Sequence, residues 1–143
     1  MKAKGFTIIE LLVAMAIFAI ISAIAIPLYT QYTQRGYRTE LMSDLLVCSQ
    51  GLERFNAVNF TYVGANPGGD DTALDAAICN PPSVQQARYA ITAVTTRNTY
   101  DLTATPSGSM AGTGVLTFDE AGTRTWDEDS DGIDAHDNDW EEG

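Results

Sequence analysis

The chain has little positive charge to offer. Its 143 residues hold eight basic side chains against nineteen acidic ones, a formal charge of −11. Lysine occurs only at Lys2 and Lys4, and the other six cations are arginines scattered from Arg35 to Arg124. A nucleic-acid surface needs clustered Lys and Arg to displace counterions, so this composition argues against one. Histidine occurs once, at His136, and no serine has a plausible base partner. Nucleophilic and acid–base catalysis have little to work with, and no enzymatic activity is expected. Cysteine occurs only at Cys48 and Cys79, which excludes a cysteine-dense framework but permits one bridge. The length allows at most one domain with appendages.

What the chain does have is a long apolar run near its start. From Leu11 to Ile26 the only polar side chain is Ser22. As a helix, Phe6 to Leu28 covers roughly 35 Å at ~1.5 Å per residue, enough for a hydrocarbon core of ~30 Å. Lys2 and Lys4 then lie on the cytoplasmic side, with the rest of the chain outside. A secretory signal also begins with basic residues and an apolar stretch. Two details disagree with that reading. An acid, Glu10, lies inside the run, and the small residue, Gly5, comes before it rather than after. A plain single-span anchor is the simplest alternative.

The words "KGFTIIEL", Lys4 to Leu11, carry more information. They resemble the class III signal of type IV pilins and of type II secretion pseudopilins. That resemblance implies cleavage after Gly5 by prepilin peptidase, and methylation of the new N-terminal residue, Phe6. It covers the first 30 residues most strongly and loosens beyond them. It also gives Glu10 a role. A carboxylate in a lipid-like core costs ~2.5–3.5 kcal/mol on insertion scales, and it needs a cation. The cation available at that depth is the Phe6 amine, from the same chain or from a neighbour. Low dielectric strengthens such a pair, so Glu10 marks the stagger of packed helices. The alternative is an acid that stabilises a helix N-terminus through the dipole. Pro27, which interrupts the helix in the family, removes a backbone donor and is expected to kink or loosen it.

Beyond Pro27 the helical pattern resumes. Leu41, Leu45, Cys48, Leu52 and Phe55 form one apolar stripe, which predicts an amphipathic helix to about Val58. Gly, Pro, Asn and Asp then mark a loop. Strands follow: "RYAITAV" alternates Tyr89, Ile91 and Ala93 against Ala90, Thr92 and Val94, and "TYDLTAT" alternates Tyr100, Leu102 and Ala104. "GVLTF" and "TRTW" flank a turn at Asp119 to Gly122. The expected fold class is α+β: a long N-terminal helix packed on an antiparallel β-meander, the type IV pilin fold. Its parts are a leader peptide (1–5), a transmembrane and filament-core helix (6–29), an amphipathic helix (30–58), an αβ-loop (59–87), the sheet (88–126) and an acidic C-terminal segment (127–143).

Cys48 lies on the inward stripe and Cys79 in the loop, just before Pro81 and Pro82. An exported domain permits a disulfide between them; two unpaired cysteines are the alternative. Many pilins instead enclose a surface loop with a cysteine pair near the C-terminus, which this chain lacks. Its C-terminus is acidic instead. From Asp127 to Asp139 there are seven acidic residues. Asp127, Asp129, Asp131 and Gly132 open like an EF-hand loop, but Asn138 stands where the twelfth-position glutamate belongs. The expected calcium ligands are Asp127, Asp129, Asp131, the Ile133 carbonyl, and some of Asp134, Asp137 and Asp139. A free acidic tail is the alternative.

The stretch "YAITAV…TYDLTATPSG…GVLTFDEAGTRTW" is similar to PilE-type minor pilins. The resemblance implies a structural subunit of a type IV pilus, minor or major. Such a subunit assembles through its N-terminal helix into an extracellular filament for adhesion, twitching motility or DNA uptake. A type II secretion pseudopilin is an alternative. A filament-displayed, calcium-dependent binding or adhesion module is another, from a different class. The implied partners are other pilin subunits, prepilin peptidase and an inner-membrane assembly platform, with no nucleic acid bound directly. The implied location is the inner membrane before assembly and the cell-surface pilus after it.

Overall fold

The computed structural model describes residues 6–81, 86–128 and 140. The chain divides into two compact units, Met1–Gly36 and Tyr37–Gly143. One helix, α1, spans Ile8–Asn59. Its first part is apolar all round, and Ile8, Leu12, Phe18, Ile24 and Leu28 are each more than half exposed. A helix of that character belongs in lipid or among other helices. α1 runs unbroken through Pro27.

The second unit is built on the predicted stripe. Leu41, Leu45, Cys48 and Leu52 are all buried, because spacings of three and four place them on one face of α1. Each fully buried leucine contributes roughly 2 kcal/mol of transfer free energy. They share a core with the inner face of a four-stranded sheet. Its strands are β1 (Tyr89–Thr95), β2 (Tyr100–Pro106), β3 (Val115–Asp119) and β4 (Arg124–Asp127). They pair in chain order, all antiparallel. The α+β architecture expected from the sequence is the one observed.

Alternation sets the faces. Tyr100, Leu102 and Ala104 of β2, and Leu116 and Phe118 of β3, are buried. On the opposite face Thr92, Thr103, Thr117 and Thr125 line up across all four strands. The β3–β4 turn forms where predicted: the Gly122 N–H donates to the Asp119 carbonyl at 3.1 Å. Gly122 has a φ of 84°, which a residue with a Cβ adopts at a cost.

The connection from α1 to β1 is well anchored. Thr72 bridges Ala93, with two backbone hydrogen bonds between 2.9 and 3.0 Å. Buried Asn66 donates to the Gly69 and Ala93 carbonyls and accepts from the Thr95 hydroxyl. This loop therefore covers part of the β1 edge, which would otherwise present unpaired backbone groups.

Candidate functional site

The helix start is built by Thr7 and Glu10. The Thr7 N–H donates to Glu10 Oε2 at 2.9 Å, and the Thr7 hydroxyl donates to the same oxygen at 2.8 Å. In return the Glu10 N–H donates to Thr7 Oγ1 at 3.3 Å. This is a capping box, in which two otherwise orphaned donors of the first turn are satisfied reciprocally. Both side-chain bonds fall on Oε2. Around the carboxylate lies a shallow groove lined by Ile9, Val13, Ala14 and Ile17. Phe6 is 89% exposed. Gly5 lies outside the described residues, so the junction between Gly5 and Phe6 is not described.

The apolar part of α1 has a mean hydropathy of 2.7 over its most apolar 18-residue window, and none of that window is buried. Length and composition suffice to cross a membrane. Beside Pro27, the Thr30 hydroxyl donates to the Ile26 carbonyl at 3.1 Å and the Thr33 hydroxyl to the Thr30 carbonyl at 2.8 Å. Such back-bonding supplies donors to the turn next to the proline.

Cys48 and Cys79 form a disulfide, their Cα atoms 4.6 Å apart. Two local features bring the loop to the helix. Asp75 organises a tight turn: its carbonyl accepts from the Ile78 and Cys79 N–H groups, and its carboxylate accepts from the Ala77 N–H at 2.8 Å. Gly51, one turn beyond Cys48, lets that turn approach. A Cβ at position 51 would overlap the Ile78 carbonyl. The sequence reading missed Gly51, although a glycine on the inward face of a helix signals close approach.

At the C-terminal end, Trp126 is buried on β4. Its indole N–H donates to the Thr113 carbonyl at 3.0 Å, and the Arg38 guanidinium sits 3.6 Å from a Trp126 ring centre. Asp127 is 5% exposed. Of the expected calcium ligands only Asp127 is described; Asp129, Asp131, Ile133, Asp134, Asp137 and Asp139 lie outside the described residues. Among the described residues no group of three or more His, Cys, Asp or Glu side chains is placed to hold a metal. Trp140, which the sequence reading left without a role, is 5% exposed. Its indole N–H donates to the Thr125 carbonyl at 3.1 Å, and its ring lies 5.6 Å from Phe118. A tryptophan in an acidic run was the available signal. The chain is therefore tied back to the sheet at Trp140, unlike an acidic tail free along its whole length.

Comparison with known proteins covers both parts of the chain. Residues 1–26 match the prokaryotic N-terminal methylation motif. Residues 27–117 match the family described as type IV minor pilin ComP, DNA uptake sequence receptor. A type IV major pilin protein PilE1 of Neisseria gonorrhoeae is 31% identical over 86 residues, 60% of this chain and 48% of the relative. A fimbrial protein of Moraxella nonliquefaciens is 36% identical over 72 residues, 50% of this chain and 44% of the relative. A fimbrial protein of Pseudomonas aeruginosa is 52% identical over 46 residues, 32% of this chain and 30% of the relative. The chain thus aligns with less than half the length of each of these relatives. No solved structure matches it.

Proposed function

The chain belongs to the type IV pilins, within the ComP minor-pilin family, and from that premise we propose that it is a structural subunit of a type IV pilus. The observation that carries the reading is the apolar, unburied first part of α1 behind a methylation motif. Such a surface is stable in a bilayer before assembly and among other subunits' helices afterwards, which explains how one segment serves as anchor and as filament core. Prepilin peptidase would cut between Gly5 and Phe6 and methylate Phe6. The new amine would then lie four residues from Glu10. Since the capping box uses Oε2 alone, Oε1 remains to accept from the amine of Phe6 in a neighbouring subunit. An inner-membrane platform would drive the assembly.

The intact mass of protein sheared from cells tests this directly. The expected mass is that of a chain starting at methylated Phe6. Recovery of filaments whose subunits retain Met1 to Gly5, or absence of the protein from filaments, would contradict the proposal. Its abundance there separates a minor from a major subunit.

A second reading is receptor for DNA during uptake, favoured by the match to the ComP family over residues 27–117. Against it stands the formal charge of −11, which repels phosphate. Duplex binding by the full chain, weakening steeply between 50 and 200 mM salt, would support it. The acidic segment from Asp127 is proposed as a calcium loop on its spacing alone. Calcium fits an all-oxygen set better than magnesium, which demands a tight octahedron. Calorimetry with millimolar calcium decides that point.

A further inference from the structure

Inter-strand hydrogen bonds fix which backbone groups β1 turns outward. The Ala93 N–H donates to the Thr72 carbonyl at 2.9 Å, and the Ala93 carbonyl accepts from the Asp71 N–H at 3.0 Å. Ala93 therefore directs both groups to the loop and away from Leu102, its opposite residue on β2. Hydrogen-bonded and non-hydrogen-bonded positions alternate along an antiparallel pair. Ile91 and Tyr89 share the parity of Ala93, so their N–H and C=O groups also point away from β2. The far end of the ladder agrees. Tyr89 stands opposite Pro106, which has no N–H to donate. One step out of phase, the Ser107 N–H donates to the Arg88 carbonyl at 2.6 Å.

The loop covers only half of this edge. Asp71 and Thr72 both bond to Ala93, and Asp71 has a φ of 59°. That is a β-bulge, which ends pairing. Had the chain stayed in register, Leu74 and Ala76 would stand opposite Ile91 and Tyr89. Instead the Asp75 N–H donates to the Ala65 carbonyl at 2.9 Å, and Leu74 turns into the core. A groove of about 360 Å³ opens between the departing loop and β1, with Leu74, Ala76, Cys79, Pro81, Tyr89 and Ile91 in its lining. Among the described residues no backbone group outside the β1–β2 ladder bonds to Tyr89 or Ile91. The other parts of the sheet margin are guarded. Asn66 and Thr72 hold Ala93 and Thr95. β4 carries Arg124 and Asp127, and Trp140 donates to its Thr125 carbonyl. The run from Tyr89 to Thr92 has none of the charges or prolines that natural edges use against pairing.

We propose that the edge from Tyr89 to Ile91 binds one extended strand of a partner protein, added antiparallel to β1 where Leu74 and Ala76 would have continued. The backbone selects the occupant. Two donors and two acceptors at alternate residues match the period of a β-strand. A helix pairs its own backbone groups and cannot answer them. The groove selects the side chains. Residues opposite Ile91 and Tyr89 share a face with those two. That is the core face, where Tyr89 is buried and Ile91 packs against the core. No charged residue lines the groove, so the strand carries apolar residues at alternate positions. A second copy of this chain offers no free strand among the described residues. Its four strands are all in the sheet, and its own β1 edge lies beside its own loop. The site lies wholly in the second unit, so it stands whether or not the chain enters filaments.

The test adds the peptide acetyl-Thr-Val-Thr-Val-Thr-amide at millimolar concentration to the full chain in detergent and follows amide exchange by NMR. In the free chain the Tyr89 and Ile91 amides should exchange fast, while Ala90 and Thr92, bonded to β2, exchange slowly. The peptide should slow Tyr89 and Ile91 several-fold. The same peptide N-methylated at both valines keeps its apolar side chains but loses the donors that face β1, and it should give no protection. Ile91→Pro removes one edge donor and leaves the β1–β2 ladder its bonds, so it should abolish the protection at Tyr89. If that variant fails to fold, the N-methylated peptide still decides. Tyr89 and Ile91 amides that are already slow in the free chain mean a closed edge and overturn the proposal. So do exchange rates unchanged by millimolar peptide, and equal protection by the N-methylated peptide, which would show apolar contact without strand pairing. Protection that grows with protein concentration alone would make a second copy the occupant and overturn the assignment to a partner's strand.

Discussion

The hydroxyls of Ser49 and Tyr100 lie 2.8 Å apart in the buried contact between α1 and β2. Burial pushes the Tyr100 hydroxyl up to about 12, and its bond to Ser49 pulls partly the other way. Ser49→Ala removes the partner and leaves a buried hydroxyl, at a cost of about 1–3 kcal/mol. Adding Tyr100→Phe removes the orphan as well, so the double variant should recover part of the loss. Denaturant unfolding of the four species in detergent measures the coupling, and strictly additive losses would show that the bond contributes nothing.

Asp101 on β2 stands directly across from Asp119 on β3, a like-charge pair that destabilises the sheet. Desolvation, then the Glu120 and Asp119 carboxylates, hold Asp101 above the usual carboxylate range. Asp44 is raised by burial and by Glu40. A carboxyl whose folded pKa exceeds its unfolded value binds protons more readily when folded. Stability therefore rises as pH falls from neutral into the window just above the ordinary carboxylate value, and is lost as pH climbs back through it. The thermal midpoint should rise on mild acidification from pH 7, and Asp101→Asn should raise it by a few degrees at pH 7 while flattening the profile. A midpoint that falls monotonically from pH 7 downward contradicts this.

The legible parts of the fold were those set by local periodicity. Leu41, Leu45 and Leu52 declare a buried face by spacing alone, and Asp119 to Gly122 declares a turn by residue type. The bridge between Thr72 and Ala93 was not legible, because it pairs residues 21 apart in sequence through a loop with no alternation. Trp140 was hidden for a different reason. The surrounding acids suggested solvation, whereas a single indole finds a place beside Phe118. The Thr7 to Glu10 capping box is legible in the sequence as T-x-x-E, but the same carboxylate in an apolar run also signals a need for a cation, and the motif alone does not separate the two roles.

The Cys48–Cys79 link closes a loop of 31 residues' separation. In the chain-entropy model such a link contributes ~3–4 kcal/mol. Reduction, or Cys79→Ser with Cys48→Ala, should lower the thermal midpoint by more than 10 °C, at roughly 4–8 °C per kcal/mol for a unit of this size. Gly51→Ala should also destabilise strongly with the disulfide intact, since the new Cβ meets the Ile78 carbonyl. Two reactive thiols in the denatured, unreduced protein would refute the link.

Glu10 can serve as cap, as charge or as both, and two substitutions separate the roles. Glu10→Gln keeps a side chain able to close a capping box, since glutamine also fills that position, but it removes the charge that would pair with the Phe6 amine of a neighbour. Thr7→Val keeps the charge and the β-branched shape but removes the hydroxyl that bonds Oε2 and the Glu10 N–H. Losing a cap costs about 0.5–2 kcal/mol of helix stability, which a long apolar helix in a membrane tolerates. A carboxylate left without its cation in a lipid-like core costs more. The expected outcome is that both variants insert into the membrane normally. Glu10→Gln should enter filaments at a level reduced several-fold, while Thr7→Val stays near wild type. Quantifying each variant in sheared filaments against the membrane pool reads this directly. Normal incorporation of Glu10→Gln with a defect in Thr7→Val would assign the residue to the cap and remove the amine pairing as the device that sets the stagger.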